Sequence, residues 1–136
     1  MSRQAIYKQI KEHFGLVPVM FKALSDTSLE HEWRLFRELH IAEGPIPARY
    51  RELIGLAVAA ASRCRYSTSL HTEMARLTGA GEAELEEAIQ LARSSAGWST
   101  YLNGLQCNFE QFKSDVIKYC EYKASLPAGA LAGNRK

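Results

Sequence analysis

The chain has 136 residues with 17 basic and 15 acidic side chains, a net charge of +2, and 46% hydrophobic and 24% charged residues. That length and composition suit one globular domain with a core of its own. They exclude the dense positive charge of a nucleic-acid or anionic-membrane binder, so neither partner is expected. The longest apolar run, Leu53 to Ala61 broken only by Gly55, is far too short to span a bilayer.

In chain order the signals are helical, and strand signals are nearly absent. Ile6, Ile10 and Phe14 fall four apart, the stripe of an amphipathic helix that Gly15 stops. Leu16-Val17-Pro18 opens a short apolar turn with Met20, Phe21 and Leu24 as its buried side. Asp26-Thr27-Ser28 offers caps for a helix carrying Trp33, Phe36, Leu39 and His40. Gly44-Pro45-Ile46-Pro47 is a firm break, with Pro47 placed for the first turn of a helix over about 48–63. That helix is apolar on most of its surface, which predicts burial on several sides, in the core or against another subunit.

A helix from about Ser67 follows and ends at Gly79-Ala80-Gly81. Glu82-Ala83-Glu84 opens another, with acids where the helix macrodipole favours them. A last helical region spans about 99–124, with an interruption at Gly104, before Ser125-Leu126-Pro127. The expectation is a single all-α domain over 1–126 and a disordered tail over 127–136. The N-terminus, Met1-Ser2-Arg3-Gln4-Ala5, leads into no signal-peptide core. The odd set of cysteines, Cys64, Cys107 and Cys120, is no secreted disulfide framework, so a cytoplasmic setting is expected.

The chemistry-bearing stretch is Glu52-x11-Cys64-Arg65-Tyr66-Ser67-x3-His71. On one continuous helix Glu52 and His71 would lie roughly 28 Å apart and could share no proton. If the chain reverses near Ser62 to Arg65, two antiparallel helices bring them face to face. Ser67 and His71, four apart, share one face of the second helix. Cys64, at or just ahead of that helix start and flanked by Arg63 and Arg65, has the surroundings that lower a thiol pKa. The competing reading makes Cys64 a small buried residue at a helix junction, and spacing alone favours neither. A histidine alone is more often structural, but Glu52 lies in the most apolar helix, and a buried carboxylate needs a partner.

Cys64 and His71 supply two good ligands and no second close pair appears, so no metal or other cofactor is expected. Arg49, Arg51 and Arg63 are candidates to bind a substrate carboxylate, and Tyr66 is a further substrate-binding candidate. Trp33, Phe36, Trp98, Tyr101, Phe109 and Phe112 read as core or subunit interface. Cys107 and Cys120, on one presumed helix, would stand roughly 20 Å apart and could not bridge.

The motif resembles that of the AhpD-like members of the carboxymuconolactone decarboxylase family, which reads Glu-x11-Cys-x2-Cys-x3-His. Gly15-Leu16-Val17-Pro18, Gly44-Pro45-Ile46, Arg51-Glu52-Leu53-Ile54, Leu70-His71-Thr72 and Gly79-Ala80-Gly81-Glu82 extend the likeness over roughly 15–105. The resemblance implies an all-α, AhpD-like helical bundle built on a motif-bearing antiparallel hairpin and assembled as a trimer or hexamer. It also implies hydroperoxide reduction, with Glu52 and His71 as proton relay and Cys64 at the first-cysteine position. Ser67 stands where that family has its second cysteine, and a serine forms no disulfide. Three functions follow as expectations. One is a one-cysteine peroxidase of peroxiredoxin type, resolved by an external thiol or by Cys107 or Cys120. The second is a decarboxylase-like lyase using Glu52 and His71 as acid and base. The third is a non-catalytic oligomer that binds a ligand.

Overall fold

The structure, a computed structural model, describes residues 1–127, and the expected tail beyond Pro127 lies outside them. Among the described residues seven α-helices follow one another: α1 (Arg3–Phe14), α2 (Val19–Lys22), α3 (Asp26–Phe36), α4 (Ala48–Ala61), α5 (Arg65–Leu77), α6 (Glu82–Gly104) and α7 (Phe109–Ser125). A π-helical turn, Arg37–Ile41, continues α3, and the described residues contain no strand. The fold is the all-α one expected from the sequence. The chain divides into two compact units, Met1–Ala92 and the residues from Arg93 onward.

In the first unit, Ile6 and Ile10 pack with Phe21, Leu29 and Trp33, and Phe14 and Phe36 lie against them. Trp33 is seated by a hydrogen bond from its Nε1 to Gln9 Oε1 (2.9 Å), which satisfies its one donor inside the cluster. Gly15 ends α1 in the left-handed region, φ 75°, as a glycine at that position can without strain. Two boundaries differ from the sequence expectation. Ser25, not the Asp26–Ser28 group, caps α3, its Oγ accepting from the Ser28 N–H, because the helix begins a residue earlier. Met20 is exposed, since the single turn of α2 can bury only Phe21.

The second cluster gathers Leu56, Ala75, Ala80 and Leu85, with Leu53 packed on it. It holds α4 against α5 as an antiparallel hairpin closed by a tight turn. Ser62 ends α4, the Arg63 N–H bonds to Ala60 O, and the Cys64 N–H bonds to Ala59 O. Small residues let the backbones approach, and Glu52, Gly55, Leu56 and Ala59 form the stripe of α4 that meets α5. The opposite side of α4 leaves Ile54 and Val58 exposed, so only one face of this apolar helix is covered within the chain.

In the second unit α6 continues without a break to Gly104, where the sequence had suggested a new start near Ser99. Asn108 caps α7, its side chain accepting from the Gln111 N–H. Helix α7 buries none of its residues, and Phe109, Phe112, Val116, Ile117, Tyr119 and Tyr122 are exposed. Cys107 lies in the turn before α7, so it and Cys120 do not share a helix; both are exposed.

Candidate functional site

Helix α4 presents Glu52 toward α5, and α5 presents His71 back. The two meet with Glu52 Oε2 2.8 Å from His71 Nδ1. Glu52 is the buried charged residue of the core, 5% exposed, and the His71 side chain is 13% exposed. A carboxylate at that depth needs a donor, and the imidazole supplies it. Because the carboxylate accepts, the hydrogen sits on Nδ1, which leaves Nε2 as a proton acceptor.

Gly55 makes the pair possible. A Cβ at this position would stand 2.5 Å from His71 Cε1 and Nδ1 and 2.7 Å from Nε2. The imidazole therefore lies on bare helix backbone, one turn along α4 from Glu52. The signal was present in the sequence as the one glycine interrupting the apolar run, three residues after Glu52. Its meaning depended on knowing that α5 crosses there.

Cys64 occupies the N-cap position of α5 with extended backbone, φ −93° and ψ 103°. Its Sγ and the Ser67 Oγ are 3.5 Å apart. The Ser67 hydroxyl, then the Ser67 and Tyr66 backbone N–H groups, lower the Cys64 pKa from the ordinary thiol value, with partial burial opposing them. These are the free N–H groups of a helix start, which favour negative charge. The preceding residue, Arg63, is held at φ 56°, a conformation that L side chains seldom adopt.

The sequence-predicted residues thus assemble as two pairs, Glu52–His71 and Cys64–Ser67, carried on one hairpin. Among the described residues no hydrogen bond joins Ser67 to His71. Tyr66 is exposed beneath the Arg65 guanidinium, which donates to its hydroxyl at 3.3 Å. Arg51 is already committed, its Nη1 donating to Leu39 O and Ala42 O at 2.9 Å each. Arg49 lies 3.6 Å from Glu84 Oε1. No described group of three or more His, Cys, Asp or Glu side chains is arranged to hold a metal.

One residue near the pair stood in the sequence reading only as part of the third helix, with no functional role. His40, in the π-helical turn, stacks on Phe36 with centroids 4.5 Å apart, and its ring lies 6.1 Å from that of His71 at 30°. A π-turn inserts a residue into the helical repeat and so turns the following side chains to a new face. The i, i+4 spacing of His40 from Phe36 is visible in the sequence; its approach to His71 is not. A cavity of about 20 Å³ separates these groups, walled by His13, Phe14, Phe36, His40, Ile41, Glu52, Leu70, His71 and Met74.

Residues 28–107 match the model of the carboxymuconolactone decarboxylase family. The chain is also similar to the crystal structure of an alkylhydroperoxidase AhpD core from Rhodospirillum rubrum, at 25% identity and a TM-score of 0.70. That match covers 80% of this chain and 84% of the other. No curated protein matches the sequence significantly.

Proposed function

We propose that this chain, which belongs to the carboxymuconolactone decarboxylase family, is a one-cysteine thiol peroxidase that reduces hydroperoxides at Cys64. The observation that carries the reading is the setting of Cys64 at the start of α5, where the Ser67 hydroxyl and two backbone N–H groups favour the thiolate. The thiolate attacks one oxygen of the hydroperoxide, the O–O bond breaks, and the alkoxide leaves to be protonated to the alcohol. Cys64 becomes a sulfenic acid. An external thiol then attacks that sulfur, water leaves, and a second thiol releases the mixed disulfide and restores Cys64. Ser67 cannot resolve the sulfenic acid, so its part is to donate a hydrogen bond. Glu52 orients His71, and Nε2 of His71 is the base on the same face of α5 as Ser67. The likeness to an alkylhydroperoxidase core supports the same class of substrate.

A lyase reading finds less support. The cavity beside Glu52 and His71, about 20 Å³, has room for a single water and not for a lactone acid. Of its three candidate arginines, Arg49 and Arg51 are occupied elsewhere in the chain, which leaves Arg63.

Assembly from several copies, and work in a reducing compartment that keeps the three cysteines free, belong to the same proposal. The uncovered apolar residues of α4 and α7 support the first, and a cysteine pattern unlike a secreted disulfide framework supports the second. Sedimentation of the purified protein at more than one subunit mass is the expected result. For the chemistry, intact-mass analysis after brief exposure to an organic hydroperoxide decides. Rapid addition of one oxygen, or of a mixed disulfide when a small thiol is present, must disappear in Cys64→Ser. Oxidation indifferent to that substitution sinks the peroxidase reading.

A further inference from the structure

The Glu52–His71 pair is largely buried, beside a small, partly open cavity. The backbone of α4 at Gly55 covers the imidazole, and the small cavity beyond it has room for one water. A buried acid–base pair is of use only if its proton can be renewed, and the route has to pass groups that line this cavity. Two titratable side chains besides the pair do so, His13 on α1 and His40 on the π-turn. His13 packs its ring against Phe14 and Trp33. His40 alone stacks toward His71, and it is exposed. Its ring also floors an outer groove of about 290 Å³ lined by Met20, Leu24, Leu35 and Leu39. Of the two exposed histidines that line the cavity, His40 is the one whose ring also faces His71.

We propose that His40 is the proton outlet of the Glu52–His71 pair, acting through His71 as a positioning residue. A proton on His71 Nε2 passes across the cavity to the neutral ring of His40 and from its outer edge to solvent; uptake runs the reverse way, and no other bond changes. Other features fit that role. Partial burial lowers the His40 pKa, the charge of Glu52 opposes this, and His71 and Arg51 add to the lowering. The ring is thus neutral near pH 7 and able to accept. Charged or titratable groups face it from every side: His13 from α1, Glu32 from α3, Arg51 and Glu52 from α4, and His71 from α5. The π-turn that places it is fixed by the two hydrogen bonds from Arg51 to Leu39 O and Ala42 O. A π-turn within a helix is a feature often found where a side chain has work to do.

The proposal rests on reading Glu52–His71 as an acid–base pair, but its test uses no peroxidase turnover, so the two can fail separately. The measurement is solvent exchange of the His71 Nε2 hydrogen by NMR in the full chain, at a pH where the ring carries it. His40→Phe keeps a ring stacked on Phe36 and should slow exchange roughly tenfold or more. Free imidazole in the buffer should restore it, and His13→Phe should leave it unchanged. Unaltered exchange in His40→Phe overturns the proposal, as does slowing that imidazole does not rescue, since that is what a structural role gives. If His40→Phe does not fold, His40→Gln takes its place with the same expectations.

Discussion

Two corners of the chain are built alike and end differently. After α4, Arg63 turns left-handed (φ 56°) and the Cys64 N–H bonds back to Ala59 O before α5 begins; after α6, Gln106 (φ 51°) does the same and the Cys107 N–H bonds to Leu102 O before α7. Both place a cysteine just ahead of a helix. At the first corner the two helices are pressed together over Leu56, Ala59 and Ala75, with Glu52 and His71 between them and Ser67 beside the thiol. At the second, α7 buries nothing, and Cys107 lines an open cavity of about 800 Å³ among Trp98, Leu102, Phe109 and Phe112. The local turn presents a thiol; packing of the flanking helices gives it chemical neighbours.

The comparison breaks most readily at glycine. Gly55→Ala drives a methyl into His71 and should separate it from Glu52, leaving a buried carboxylate unpaired at a cost of about 3 kcal/mol. Gly97→Ala, in α6 with nothing near the added carbon, should instead gain roughly 0.5–1 kcal/mol from helix propensity. Urea unfolding curves of the two variants test the opposite signs. Equal effects would mean that His71 can leave Gly55 at little cost.

Next in size is thiol reactivity. Cys64 should be alkylated roughly tenfold or more faster than Cys107 at neutral pH, read by peptide mass spectrometry with time. Similar rates would show that the corner itself, and not the hairpin, governs the thiol.

Ser67→Ala sharpens the cause. Its loss removes the largest effect lowering the Cys64 pKa, so the alkylation midpoint should move to higher pH and the rate at neutral pH should fall roughly two- to tenfold. The linked stability has a definite sign. A thiol held below its ordinary pKa stabilises the fold at pH above the unfolded thiol value, and that gain is lost as pH falls through the folded value. Native protein should accordingly lead Ser67→Ala by most at alkaline pH and lose that lead as pH falls toward neutral, and a flat difference between them counts against the hydrogen bond.

The smallest effects are at the left-handed residues. Arg63→Gly and Gln106→Gly should each relieve about 1 kcal/mol of backbone strain, visible as a rise in thermal midpoint. Arg63 makes no side-chain hydrogen bond or ion pair among the described residues. A stabilised Arg63→Gly with slower hydroperoxide reaction would assign its side chain to substrate.

Most helices and their breaks, though not the unbroken run of α6 past Ser99, and the hairpin were legible in the sequence because their causes are local. The 4-residue stripe of Ile6, Ile10 and Phe14, the stop at Gly15, the Pro47 start and the acids opening α6 each act within a turn or two of the chain. Glu52 and His71 could be matched as well, since a carboxylate in an apolar helix demands a partner. Burial is another matter. Trp33 and Trp98 stand in similar helical patterns, yet Trp33 is buried and Trp98 is 62% exposed, because only the first has helices folded over it. The role of Gly55 and the placement of His40 likewise come from α4 crossing α5 and from a π-turn held by Arg51. Local propensity determines which segments are helical; only the crossing of distant helices decides which side chains meet, because contact depends on residues far away along the chain.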